Sequence, residues 1–580
     1  MSLSRCFALS SLVLPLILGS ASGLMLEAVR PTVVWAQTDS EADQLYNEGV
    51  ELYNAQQWSQ AVTKFQAALE LYRQSDNRPS IASSLEYLGN VYRLLGNYPE
   101  ALRYHEESLA LKRDLGNRAG ESDTLGNIGI VYRLLGNYPE ALRYYEESLA
   151  LKRDLGNRAG ESDTLGNIGI VYQLLGNYPE ALRYYEESLA LKRDLGNRAS
   201  EAITLGNIGY LFEAQSEPQL AIVFFKEAVN IHEEFRERHQ AFEQANQATF
   251  TATVEDTYRK LADLLLQQDR ILEAQRVLDL LKVQELDNYL EGVRSSANAR
   301  EGAELVPPEV LIANAHTDLL NQAIANGRRL TVLEDPTKAT LSDAELDELV
   351  TLQAERREIL QAFNTFKDNE FIQEQLKLLS PAETRQNVQL DELTALQDNL
   401  AQIPQGAVLL YPFILEDRLE LVVTSPYAPP IRRTVNISRL DLNDAVQAFR
   451  YALDNPTRDA VTPAQQLYDW LIAPIQADLE AAGVNTIIYA PDRTLRYIHL
   501  AALHDGENRL AERYRINHIT AASPTDLNTP TNRNDPKILA GALTDAAVTI
   551  DVGDNSYNFP HLQYVDDEVN AIAALSPDAT

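Results

Sequence analysis

The chain has 580 residues, 45% of them hydrophobic, which is ample for more than one folded region. Its formal net charge of −34 repels nucleic-acid phosphates and anionic lipid headgroups, so neither is expected as a partner. The one cysteine, Cys6, leaves the rest of the chain without a disulfide, a cysteine-ligated metal or a thiol nucleophile.

The first predicted element is an export signal. A short basic start, an apolar run from residue 7 to about 26, and Val34-Trp35-Ala36 with small or apolar residues at −3 and −1 predict cleavage after Ala36, removing residues 1–36. Cys6 precedes the apolar run, whereas a lipoprotein signal carries its cysteine after it. No later stretch approaches the ~20 apolar residues of a membrane span. The expectation is export to the periplasm or beyond the cell, with no membrane attachment after cleavage.

From 44 to 243 the chain repeats every 40 residues. Leucine recurs at Leu45, Leu85, Leu125, Leu165 and Leu205, and glycine at Gly49, Gly89, Gly129, Gly169 and Gly209. Alanine recurs at Ala61, Ala101, Ala141, Ala181 and Ala221. One fixed period over this length predicts a solenoid, each unit burying its apolar face against its neighbours. Within 124–163, Leu125, Ile128 and Tyr132 form one stripe of a first helix, and Gly136-Asn137-Tyr138-Pro139-Glu140 turns the chain. A second helix follows, with Ala141, Tyr145, Ser148 and Leu149 inward and Leu155-Gly156-Asn157 closing it. Units 124–163 and 164–203 differ only at Arg133/Gln173, Gly160/Ser200, Ser162/Ala202 and Asp163/Ile203, a sign of recent duplication. A degenerate sixth unit is expected at 257–283, extending the array over 44–283.

This Leu…Ile-Gly…Tyr…Ala…Tyr pattern resembles the tetratricopeptide repeat (TPR) family, in the longer-helix subgroup with a Leu-Gly-Asn helix end. The resemblance implies a groove lined by first helices that binds a peptide or protein segment. From the residues themselves, the face opposite the core stripe centres on Ile130, with Asn127 and Arg133 about 60° to either side. Asn127, Asn167 and Asn207 recur in register, as do Ile130 and Ile170, and Arg93 and Arg133 with Gln173 next. A primary amide donates and accepts at once, so a column of them suits an extended backbone. The alternative is that each Asn bonds within its own hairpin or to the next unit, and that the arginines are a solvated face.

Residues 291–309 are small, polar and end in proline, as a linker is; 310–402 has a helical pattern. Then 407–415 and 419–426 predict a β-hairpin, with strands at 431–437, 485–491 and 537–544 and helices at 441–453 and 463–482. The predicted fold class is an all-α solenoid followed by an α/β domain. Pro491-Asp492 with Leu495, the segment Ile498-His499-Leu500-Ala501-Ala502-Leu503, Asp505-Gly506, Leu510-Ala511-Glu512-Arg513-Tyr514, and Leu562 with Glu568-Val569 resemble the front of a CHAT domain. That caspase-like module is common behind TPR arrays in bacteria, cyanobacteria among them, and the resemblance implies a caspase-like fold over 403–580.

The same resemblance implies a catalytic His-Cys pair, a His-Gly after one strand and a Cys in a Ser-Ala-Cys-like segment. No His here precedes a Gly, and no Cys follows residue 6. The expectation is a scaffold rather than a peptidase, its CHAT part ending before the catalytic motifs. The alternative is the front portion of a TPR-regulated CHAT-family cysteine peptidase. His499, His504, His518 and His561 are scattered among strands and loops. His105-Glu106-Glu107 and His232-Glu233-Glu234 lack the second His of a zinc helix, and no Gly-rich phosphate loop occurs. No metal and no cofactor are expected.

Overall fold

The computed structural model describes residues 30–238, 244–287, 302–334, 341–379, 390–403, 406–454, 458–519, 548–552 and 555–559. The signal through residue 29, the strand expected at 537–544, His561 and the 562–575 segment lie outside them. Two compact units divide the chain, one built from residues up to 241 with 303–380, the other from 242–302 with 381–580. The fold is a helical repeat solenoid followed by an α/β region with a small mixed sheet.

In the first unit, hairpins form between α1 (Arg30–Asn54) and α2 (Trp58–Ser75), α3 (Arg78–Leu94) and α4 (Tyr98–Asp114), α5 (Arg118–Leu134) and α6 (Tyr138–Asp154), α7 (Arg158–Leu174) and α8 (Tyr178–Asp194), and α9 (Arg198–Ala214) and α10 (Pro218–Arg238). The repeated Leu-Gly-Asn explains the stops. Gly136 N donates to Arg133 O at 3.0 Å and Asn137 N to Tyr132 O at 2.9 Å, the bond pair of a Schellman motif. Gly136 sits at φ 74°, where a side chain would be strained. The Asn also starts the next helix: Asn157 Oδ1 accepts from Gly160 N at 3.0 Å.

Packing follows the recurring small residues. A Cβ on Gly129 would stand 2.7 Å from the Tyr145 ring, and one on Gly169 the same from Tyr185, so each glycine lets the two helices of its hairpin close. Between units, the buried Lys152 Nζ donates to Thr164 Oγ1 at 3.2 Å, and Lys192 repeats the bond to Thr204 at 3.1 Å.

The helical stretch after the linker belongs to this unit. Its helices α13 (Pro307–Leu333), α14 (Asp343–Asn364) and α15 (Glu370–Leu378) follow α11 (Gln244–Gln267) and α12 (Ile271–Asp287) in the chain, and α13 and α14 lie on the second helix α8. His316 is buried, its Nε2 2.9 and 3.1 Å from the Glu186 carboxylate oxygens, with Phe224, Phe363 and Phe366 around its ring. Lys226 Nζ donates to Glu309 Oε2 at 2.8 Å, both side chains buried.

In the second unit, α16 (Leu390–Gln402) precedes the strands β1 (Ala407–Ile414), β2 (Leu419–Thr424), β3 (Ile431–Val435), β4 (Thr486–Tyr489) and β5 (Arg515–His518), arranged β3-β2-β1-β4-β5. β1 pairs antiparallel with β2 and parallel with β4, and Pro412 lies past the last residue paired to β4. Val408 and Leu410 join a core with Leu442, Val446 and Phe449 of α17 (Arg439–Leu453) and Leu467 and Leu471 of α18 (Val461–Leu471). The helix expected at 463–482 breaks at Pro474 and resumes as α19 (Gln476–Ala482). A separate hairpin joins β6 (Val548–Val552) to β7 (Asn555–Phe559).

Residues expected to form a sixth repeat do make a hairpin, α11 (Gln244–Gln267) with α12 (Ile271–Asp287), but it belongs to this second unit. Its polar side chains are spent on the sheet. Tyr411, one residue on from Leu410 and so on the opposite face of β1, bonds Asp279 through its hydroxyl at 2.5 Å. Lys282 Nζ donates to Ala490 O at 2.9 Å and stands 3.7 Å over the Tyr411 ring.

Candidate functional site

The 40-residue register places the expected groove residues on successive first helices, α3, α5, α7 and α9. All seven (Arg93, Asn127, Ile130, Arg133, Asn167, Ile170 and Asn207) are half-buried, neither sealed in the core nor fully solvated. Ile170 and Asn207 meet in one cavity of about 480 Å³, lined also by Gln173, Leu174, Tyr185, Tyr210 and Glu213. Ile130 packs beside Tyr132, Leu142 and Tyr172 against the core around Tyr145 and Ile168.

The three asparagines are not equivalent. Asn127 Nδ2 donates to Glu86 Oε1 on the previous first helix at 3.3 Å, so part of its amide is spent on joining two repeats. The corresponding position before Asn167 and Asn207 is Gly126 and Gly166, which offer no carboxylate.

Behind the arginine column runs a column of buried rings from the second helices, His105, Tyr145 and Tyr185, each on the glycine of its own hairpin. Tyr185 donates to Gln173 Oε1 at 2.7 Å. Where Gln173 is replaced by Arg133, the Tyr145 hydroxyl lies beside the Arg133 guanidinium instead, and the Arg133 Nε is buried with no hydrogen-bond partner. Where it is Arg93, the Arg93 Nε and both ring nitrogens of His105 are in the same condition. Burial holds His105 neutral, pushing its pKa down to about 3, and the Arg93 charge acts in the same direction.

In the second unit, His499 and His518 lie near each other, and His518 meets the Tyr489 ring edge-on at 5.3 Å. His504 Nδ1 accepts from Gly506 N at 2.9 Å within a turn. The buried charged centre there is Asp492, of the Pro-Asp pair after β4. It takes Arg259 Nη1 and Nη2 at 3.0 and 3.1 Å and Ile414 N at 3.0 Å. Burial opposes its charge, but the Arg259 guanidinium outweighs that and holds the carboxyl down to about 2. Asp492 therefore clamps helix α11 to the end of β4. Its partner lies 233 residues away in sequence, so no local pattern announced the pair. Among the described residues, no group of three or more His, Cys, Asp or Glu is placed to hold a metal, and no helix is long and apolar enough to cross a membrane.

Comparison with known proteins agrees with this division of the chain. The tetratricopeptide repeat family model matches residues 41–114, 80–154, 120–194 and 160–234, and the CHAT domain model matches 461–580. No curated protein matches the chain in sequence. Similar solved structures include the apo form of RapI, at 15% identity and TM-score 0.32 over 43% of this chain and 98% of that one. BtubC (BKLC) from P. vanneervenii matches at 16% identity and TM-score 0.32, over 47% and 97%. The apo form of the quorum sensor NprR from B. thuringiensis matches at 15% identity and TM-score 0.32, over 61% and 92%. The chain carries tetratricopeptide repeats over residues 41–234 and a CHAT domain over 461–580.

Proposed function

We propose that this protein is an exported scaffold whose repeat array holds an extended segment of another protein along the groove of its first helices. The observation that carries this is the shared cavity of Ile170 and Asn207, residues 37 positions apart that only the solenoid brings together. Half-burial of the whole stripe supports it, since an apolar and amide-bearing surface in that state has area left to cover. In this reading the array is joined to a partial CHAT module, and residues 461–580 offer no thiol for peptidase attack. The absence of any Cys after residue 6 supports that part of the reading, because thiolate attack requires one. Export rests on the amino-terminal signal pattern and leads to the periplasm or the exterior.

The test replaces Asn127, Asn167 and Asn207 together with Ala and repeats affinity capture from the producing cell. The groove reading expects the captured segment to be lost while helical content and melting temperature stay within experimental error. Unchanged capture by the folded triple variant would remove the groove from the account.

A further inference from the structure

Helices α13 and α14 do not seal against the array. Between them and α7 with α8, inside the first unit, lies a cavity of about 550 Å³. Its lining shares no residue with the cavity of Ile170 and Asn207. The volume falls within the roughly 300–1,000 Å³ that houses a small-molecule ligand. Its walls are largely apolar. Ala323, Gly327 and Leu330 follow one another at helical spacing on one face of α13, with Ile359 and Phe363 of α14 and Leu191 of α8 around the same space.

Gly327 has no packing reason to be glycine. Gly129 and Gly169 each make room for a tyrosine ring, but a Cβ on Gly327 would meet no atom within 4 Å. No turn requires it either, since α13 runs unbroken from Pro307 to Leu333. Glycine in a helix interior gives up stability that a residue with a side chain would keep. An apolar cavity left empty also forfeits the dispersion contacts that close-packed interiors make. Gly327 thus keeps open a space that leucine would fill.

The charges on the lining are already answered. Its three arginines are each paired, Arg153 with Glu161, Arg158 with Asp194 and Arg356 with Glu187. Glu186 takes His316 of α13, Asp154 takes Arg118, and Glu334 accepts from the Gln353 amide at 3.2 Å. A charged ligand would have to compete with one of these partners, whereas an uncharged one disturbs none.

We propose that this cavity is a binding site for a small uncharged molecule, largely hydrocarbon, held between the array and the α13–α14 pair. Its occupancy is independent of what the groove holds. Touching α8 on one side and α13 with α14 on the other, the ligand stabilises their packing when it binds.

The probe is Nile red, an uncharged dye that brightens in apolar surroundings, titrated against the full chain. The expected results are saturation at one molecule per chain, displacement by dodecanol, and a melting temperature that rises with dodecanol. G327L fills the cavity with a better helix former and should lower the affinity about tenfold or more, at an unchanged or higher melting temperature. I359F narrows the space from α14 and gives the same reading should G327L fail to fold. The variant with Asn127, Asn167 and Asn207 replaced by Ala should bind the dye as the wild type does, which separates this cavity from the groove. No saturable binding, undiminished binding by the folded G327L or I359F chain, or displacement by laurate or dodecylamine as readily as by dodecanol would each overturn the proposal. Loss of dye binding in the asparagine variant would overturn it too, by placing the dye in the groove.

Discussion

His105 occupies the place held by Tyr145 and Tyr185 in the next repeats, and that exchange has a calculable consequence. In the folded chain burial keeps the ring neutral down to about pH 3, whereas an unfolded His titrates near 6.5. The folded pKa is the lower one. The unfolded state therefore takes up a proton first, and stability held above pH 6.5 is lost progressively as pH falls toward 3. Between pH 7 and pH 5 the loss is about 2 kcal/mol, with roughly twice that by pH 3. H105Y replaces the imidazole with a ring that the same site already accepts twice, over Gly129 and Gly169. Urea unfolding followed by circular dichroism, at pH 7 and pH 5, compares the two chains. The wild type should lose about 2 kcal/mol more than H105Y across that interval. Equal pH dependence in both would refute the claim that His105 is buried in its neutral form.

Two further substitutions test the packing and the clamp. G129A places a methyl 2.7 Å from the Tyr145 ring and should cost about 2 kcal/mol in urea unfolding; a neutral effect would mean the helices are not held at this distance. R259M strands the buried Asp492 carboxylate and should destabilise the second unit by about 3–5 kcal/mol, with much of the loss recovered in R259M/D492L. Calorimetric scans of the full chain read this, and a loss under about 1 kcal/mol in R259M would show that the pair does not hold α11.

The solenoid was legible in the sequence because a 40-residue period leaves a chain little choice: each Leu-Gly-Asn stops one helix, and Asn117, Asn157 and Asn197 also cap the next. Register likewise carries Ile170 and Asn207 to one cavity. What register could not show was how each amide is used. Asn127 meets Glu86 only because the second repeat has Glu where later ones have Gly. The docking of α13 on α8 was hidden because His316 and Glu186 lie 130 residues apart and each reads locally as an ordinary helix residue. The hairpin of α11 and α12 keeps the apolar stripe of a repeat. Only the long-range partners of Arg259, Asp279 and Lys282 reveal that it is built into the sheet's unit.

The most direct measurement of the groove's role is photocrosslinking in the producing cell. A photoreactive amino acid is placed at Ile130 or Ile170 on the first helices, or at the exposed Ala150 on a second helix. Adducts with one protein partner from Ile130 and Ile170, and none from Ala150, are the predicted result. Adducts from Ala150 alone, or from no position in a chain that is folded and abundant, would contradict the account.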